Sequence, residues 1–181
     1  FNSKGLKTSF LGHNEFGDGS IELKNHLGNL AGYFTAFEDG GSIAVTDGKP
    51  GTNHRALMGN MIFGGRTAIF NANNLMTHES TVQQNGEGIF RIANPKDIIK
   101  SRVEIGGSAN LDGFVTMYNN KNQRASDLTS NADGSGMIAT YKDEKNQTQM
   151  NSSSAGGEIN VYNNGGNITS QVGHFEDGRG K

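Results

Sequence analysis

Gly113-Phe114-Val115-Thr116-Met117-Tyr118-Asn119 is the phrase whose reading decides the fold. It opens on glycine, places apolar side chains at its third and fifth positions and ends in Tyr-Asn. The phrase returns as Gly157-Glu158-Ile159-Asn160-Val161-Tyr162-Asn163, as Gly136-Met137-Ile138-Ala139-Thr140-Tyr141-Lys142 and as Gly19-Ser20-Ile21-Glu22-Leu23-Lys24-Asn25. Looser copies open at Gly41, Gly65 and Gly88. An apolar residue at every second position puts these side chains on one face of a β-strand. The residues between them, Glu22, Ala44, Ala68, Arg91, Thr116, Ala139 and Asn160, are small or polar, as an outer face requires.

The opening glycines fall at 19, 41, 65, 88, 113, 136, 157 and 180, with spacings of 21 to 25 residues and a mean of 23. The two ends give a second measure of the period. Gly12-His13-x-Glu15-x-Gly17-x-Gly19 matches Gly173-His174-x-Glu176-x-Gly178-x-Gly180 at an offset of 161, seven periods of 23. The sequence therefore reads as one continuous array over residues 1–181. It starts and stops inside a repeat, so we expect it to be a piece of a longer chain.

Within a repeat, the strand is followed by a turn. Asn25, Asp47, Asn71, Asn94, Asn119 and Asn163 occupy its seventh position, where Asn and Asp end strands by bonding their own backbone. Pro50 and Pro95 fall in the same zone. A second, shorter strand is expected next, around Phe34, Met58, Val82, Val103, Leu128, Met150 and Val172. Asp-Gly pairs at 18–19, 39–40, 112–113, 133–134 and 177–178 suit tight closing turns. Residues 95–103 read equally as a short helix or as a loop insertion or irregular strand.

Composition bounds the function. Of 181 residues, 33% are hydrophobic and none is Trp or Cys, against 27 Gly and 22 Asn. The absence of Cys excludes a disulfide framework and thiolate metal sites. A formal charge of −2 with no basic stripe argues against nucleic acid. No 18-residue apolar run offers a membrane-spanning helix.

No catalytic, cofactor-binding or metal residue is assigned. His13, His26, His54, His78 and His174 have no partner at metal-ligand spacing. Glu38-Asp39 and Glu176-Asp177 read as solvated turns rather than glycosidase pairs. Tyr118, Tyr141 and Tyr162 recur at one repeat position and are expected to form a structural ladder.

A 23-residue period is too short for a propeller blade. A single-chain parallel β-solenoid and an intertwined shaft of several chains remain. One coil per repeat would need about six inward side chains, given the alternation of strands. The sequence supplies about four, a thin core by the standard of close packing. Three chains around one axis would pool their inward residues, and the homotrimer is the favoured reading.

The pattern Gly-x-Ile-x-Val-Tyr-Asn, a polar turn and then Asp-Gly or Gly-Gly resembles the shaft repeats of phage tail fibres and tailspikes. Phage hyaluronate lyases are similar in architecture. The resemblance spans Gly19 to Gly180 and rests on pattern, so no functional residue is carried over from it. It implies an all-β, elongated homotrimer such as a triple-stranded β-helix, located outside the cell or on the virion surface. Its work would be host-surface adsorption, with a host polysaccharide or receptor as partner. Two alternatives stand beside it: a polysaccharide lyase or depolymerase using a groove on the shaft, and a bacterial adhesin or polymerising extracellular filament.

Overall fold

The asparagines at the strand ends build the turns. In the computed structural model, Asn25 Oδ1 accepts the backbone N–H groups of Leu27 and Asn29 at 3.0 and 3.1 Å. The backbone closes the same loop, Asn25 N donating to Asn29 O and Gly28 N to Asn25 O, both at 2.9 Å. The fourth residue must adopt a left-handed conformation, and Gly28 does so at φ 83°. The same geometry recurs at Asn2, Asn14, Asn71, Asn119 and Asn163. Asn74 and Asn122 take the left-handed position at φ 58° and 61°, which asparagine tolerates better than most residues.

The structure describes residues 1–38, 40–51, 53–61, 64–94, 97–108, 111–131, 133–153 and 156–173. They hold fifteen strands and no helix. In order these are β1 (Ser9–His13), β2 (Gly19–Lys24), β3 (Leu30–Phe37), β4 (Gly40–Thr46), β5 (His54–Met61), β6 (Gly64–Phe70), β7 (Met76–Val82) and β8 (Gly88–Asn94). Then follow β9 (Asp97–Ser108), β10 (Leu111–Tyr118), β11 (Arg124–Asn131), β12 (Gly136–Lys142), β13 (Lys145–Ser153), β14 (Gly156–Tyr162) and β15 (Ile168–Gly173). The protein is all-β, one open antiparallel sheet whose strand order is the chain order.

Two sequence expectations need correction. Consecutive strands pair antiparallel through short turns, so the chain does not coil as a single-chain parallel solenoid. In every pair from β2–β3 to β12–β13 the second strand is at least as long as the first, because backbone pairing continues past the few apolar residues that mark it; β3 and β11 have 8 residues and β13 has 9. The ambiguous stretch after Pro95 is strand β9, while Pro95 itself lies outside the described residues. So do Asp39, His174, Glu176, Asp177, Gly178 and Gly180. Asp18-Gly19 is not a tight turn: Asp18 ends the Asn14 loop and Gly19 opens β2. Asp112-Gly113 lies within β10 at a register irregularity. At Asp133-Gly134 the expected geometry is present, with Gly134 at φ 80°.

Internal contacts divide the chain into two units, Phe1–Gly88 with Ala93–Ile98 and Ile89–Ile92 with Ile99–Lys181. In the first unit, cross-strand register aligns Leu11, Ile21, Phe34, Ile43, Met58, Thr67 and Ser80 in one column on one face. On the other face Phe10, Glu22, Tyr33, Ala44, Leu57, Ala68 and Glu79 align. In the second unit the first face carries Ile105, Val115, Leu128, Ile138, Met150, Ile159 and Val172. The opposite face carries Glu104, Thr116, Asp127, Ala139, Gln149, Asn160 and Gln171.

Candidate functional site: an uncovered apolar face and a bonded polar face

The burial of the two faces is the reverse of what their side chains would suggest. Leu128, Ile138 and Met150 are 52%, 48% and 47% exposed, whereas Ala139 is 1% exposed. Ala139 is covered by its own face, because Asp127 and Gln149 stand directly across from it on either side. Ala44 lies likewise between Tyr33 and Leu57, and Ala68 between Leu57 and Glu79. The apolar column has no such cover. The residues expected to face an interior do share one face, and among the described residues of each unit no second layer lies over that face. The described exposed hydrophobics include a member of this column on every strand from β2 to β5 and from β11 to β15.

The apolar face is also grooved. In the second unit a trough of about 660 Å³ runs beside the ridge of Ile138, Met150 and Ile159, with Gly136, Ser152 and Gly157 along it. In the first unit a trough of about 540 Å³ lies beside Phe34, Ile43 and Met58, with Gly41 and Gly65 along it. No Asp, Glu, Lys or Arg stands in either apolar column.

The polar face is held together by side-chain bonds between strands. Glu104 accepts three donors: Tyr118 OH at 2.9 Å, Ser101 Oγ at 2.7 Å and Arg91 Nε at 3.0 Å. Burial and the neighbouring Glu104 carboxylate push the Tyr118 phenol up to about 12. The Arg124 guanidinium lies 5.3 Å from the Tyr141 ring centroid and pairs with Asp127 at 3.1 Å. Tyr162 OH donates to Gln149 Oε1 at 2.7 Å. Asn151 and Asn160 donate to Glu158 Oε1 and Gln171 to Oε2; these bonds, Asn151's first, hold the Glu158 carboxyl below its usual range against partial desolvation. In the first unit Arg66 and Glu79 pair at 2.7 Å.

The recurring tyrosines Tyr118 and Tyr162 reach back to the preceding strand, as a ladder of cross-strand braces would. Sequence reading missed the braces themselves. Glu104, Asp127 and Gln149 meet their partners only through strand register, and Tyr33 OH meets His54 Nε2 at 3.0 Å across 21 residues. Asp127 Oδ1 and Asn160 Oδ1 are buried without a hydrogen-bond partner.

The histidines are scattered. His13 Nδ1 contacts Asn14 O, His26 sits in the Asn25 turn, and His54 packs its ring 6.1 Å from that of Phe70. His78 lies opposite Ile69 on the apolar face, with Nδ1 3.0 Å from Thr77 Oγ1. Among the described residues no group of three His, Asp or Glu could hold a metal ion. Glu38 is exposed at the end of β3. No helix among the described residues is long and apolar enough to cross a membrane. Compared with protein-family models and with curated proteins, the chain matches none.

Proposed function

We propose that this chain is a shaft segment of an extracellular fibre, built by association of copies of itself as a homotrimer of 23-residue repeats. One observation carries the reading: an apolar column runs along one face of each unit, and within each unit no described residue covers it. A column of this kind is unstable against water. Each Ile, Leu, Val or Met is worth about 1.5–3 kcal/mol on full burial, and large exposed apolar patches mark association sites.

Three copies facing inward would pool their apolar columns and leave the braced polar faces to water, giving stiffness with solubility. A role in attachment to a host surface, as in phage tail fibres and tailspikes, follows from the repeat pattern.

Light scattering on the purified chain tests the proposal. A mass near three times 19.3 kDa is expected; a monomer at all concentrations overturns it. The depolymerase alternative has weaker footing, since its best acid–base arrangement, Glu104 and Tyr118, is tied into structural bonds. Release of unsaturated oligosaccharides from a polysaccharide would support that alternative.

A further inference from the structure

Six of the glycines that open the repeats, Gly19, Gly65, Gly88, Gly113, Gly136 and Gly157, have no structural reason among the described residues to be glycine. None has a positive φ, so any residue could adopt their backbone. A Cβ at Gly19, Gly65 or Gly88 would meet nothing within 4 Å. At Gly113 and Gly136 the nearest atom would be 3.8 Å away, and at Gly157 3.6 Å, ordinary contact distances. Other glycines do have a local reason: Gly32 would press its Cβ to 3.1 Å from Ala44 O, and Gly166 turns at φ 85°.

Glycine weakens a strand, and inside one it marks a place where another backbone or ligand comes close. Gly19, Gly65, Gly113, Gly136 and Gly157 each lie two residues before a member of an apolar column and so share its face. Their cross-strand partners are also small where the second unit forms its trough: Ser130 faces both Gly113 and Gly136, and Ser152 faces Gly157. In the second unit the face thus carries a ridge of large apolar side chains and, beside it, a furrow of glycine and serine. Both advance one residue per strand, about 4.8 Å.

We infer that the glycine furrow is the seat for the apolar ridge of a second copy of this chain, lying parallel and in register. This inference rests on the self-association proposed above. The occupant is a copy because ridge and furrow share one pitch and because a copy of this chain presents an uncovered apolar ridge of matching length, from Leu128 to Val172. Identical copies in register also place equal residues at equal heights, which a charged column would forbid; these columns hold no Asp, Glu, Lys or Arg. A ridge on one copy and a furrow on the next make a head-to-tail contact, which closes into a ring when the rotation allows.

The test fills the furrow. In Gly136→Val/Gly157→Val the new Cβ atoms meet only ordinary contacts at 3.8 and 3.6 Å, and valine suits a strand. Far-UV circular dichroism should be unchanged, while light scattering should report loss of the assembled mass where the wild type is assembled. A second measurement does not depend on those variants folding well. The chain has no Cys, so Gly157→Cys carries a single thiol. Its labelling by a maleimide should be at least tenfold slower than that of Gln171→Cys on the polar face. If the wild type assembles but the valine variant assembles equally and both thiols label alike, the furrow inference falls and the fibre reading survives. If the wild type is monomeric at every concentration, the fibre reading falls, and the inference with it.

Discussion

Ile138 and Ala139 are neighbours in β12, and the isoleucine is 48% exposed while the alanine is 1% exposed. Asp127 and Gln149 flank Ala139 across the ladder on either side, leaving no room for a larger residue. Enlarging Ala139 to Leu should therefore cost the fold about 1–3 kcal/mol, the usual penalty for overpacking. Urea unfolding of Ala139→Leu checks this against the wild type. An unchanged midpoint would mean that the polar face is looser than its contacts imply.

The turn at Asn163 offers a separate handle on stability. Its Oδ1 accepts Gly165 N at 2.9 Å and Asn167 N at 3.1 Å. Asn163→Ala removes both bonds, each worth about 0.5–1.5 kcal/mol net. Gly166→Ala forces an alanine to φ 85°, which costs about 1–2 kcal/mol. Both variants should lower the thermal midpoint. Gly165→Ala, at a glycine whose φ is not positive, should lower it less.

These turns were legible in the sequence because their chemistry is local: an Asn side chain caps its own loop and a Gly or Asn three residues on supplies the left-handed angle. The two faces were legible for a similar reason, since period two is written directly into Val115-Thr116-Met117 and Ile159-Asn160-Val161. The polar braces were not. Glu104 reaches Tyr118, and Gln149 reaches Tyr162, only after the register of β9 on β10 and of β13 on β14 is set. The length of the second strands was missed because β3, β11 and β13 put few apolar residues on the ridge column, while their backbone ladders continue regardless. The stretch after Pro95 was ambiguous in the sequence because adjacent Ile98 and Ile99 carry no clean strand alternation.

The Tyr118 phenol predicts a pH dependence with a definite sign. Its pKa is pushed from the model-peptide value of 10.0 up to about 12 by burial and by Glu104. Between those values the folded chain holds a proton that the unfolded chain has released. Its contribution is therefore complete below pH 10 and is lost as pH rises toward 12. Tyr118→Phe should lower stability at pH 8, through the lost bond to Glu104, and should flatten the decline in thermal midpoint between pH 10 and 12. Parallel alkaline profiles for the two proteins would show that Tyr118 does not titrate as its surroundings require.

Removing whole strand pairs tests the register argument most directly. Deletion of residues 136–156 takes out β12 and β13 and joins the turn after β11 to Gly157. Strand polarity is kept because two strands are removed. Leu128 then faces Ile159 in place of Ile138, and Asp127 faces Asn160 in place of Ala139, so both columns stay in phase. The shortened chain should fold with a β-type circular dichroism spectrum and a cooperative melt, and should assemble to the same copy number as the full chain. Deletion of residues 136–144 alone joins the same turn directly to β13, and its register then sets Asp127 against Thr148 and Ser126 against Gln149, exchanging the two faces from β13 onward; this variant should aggregate or fail to fold. If the single-strand deletion folded as well as the paired one, the cross-strand columns would not be what specifies this sheet.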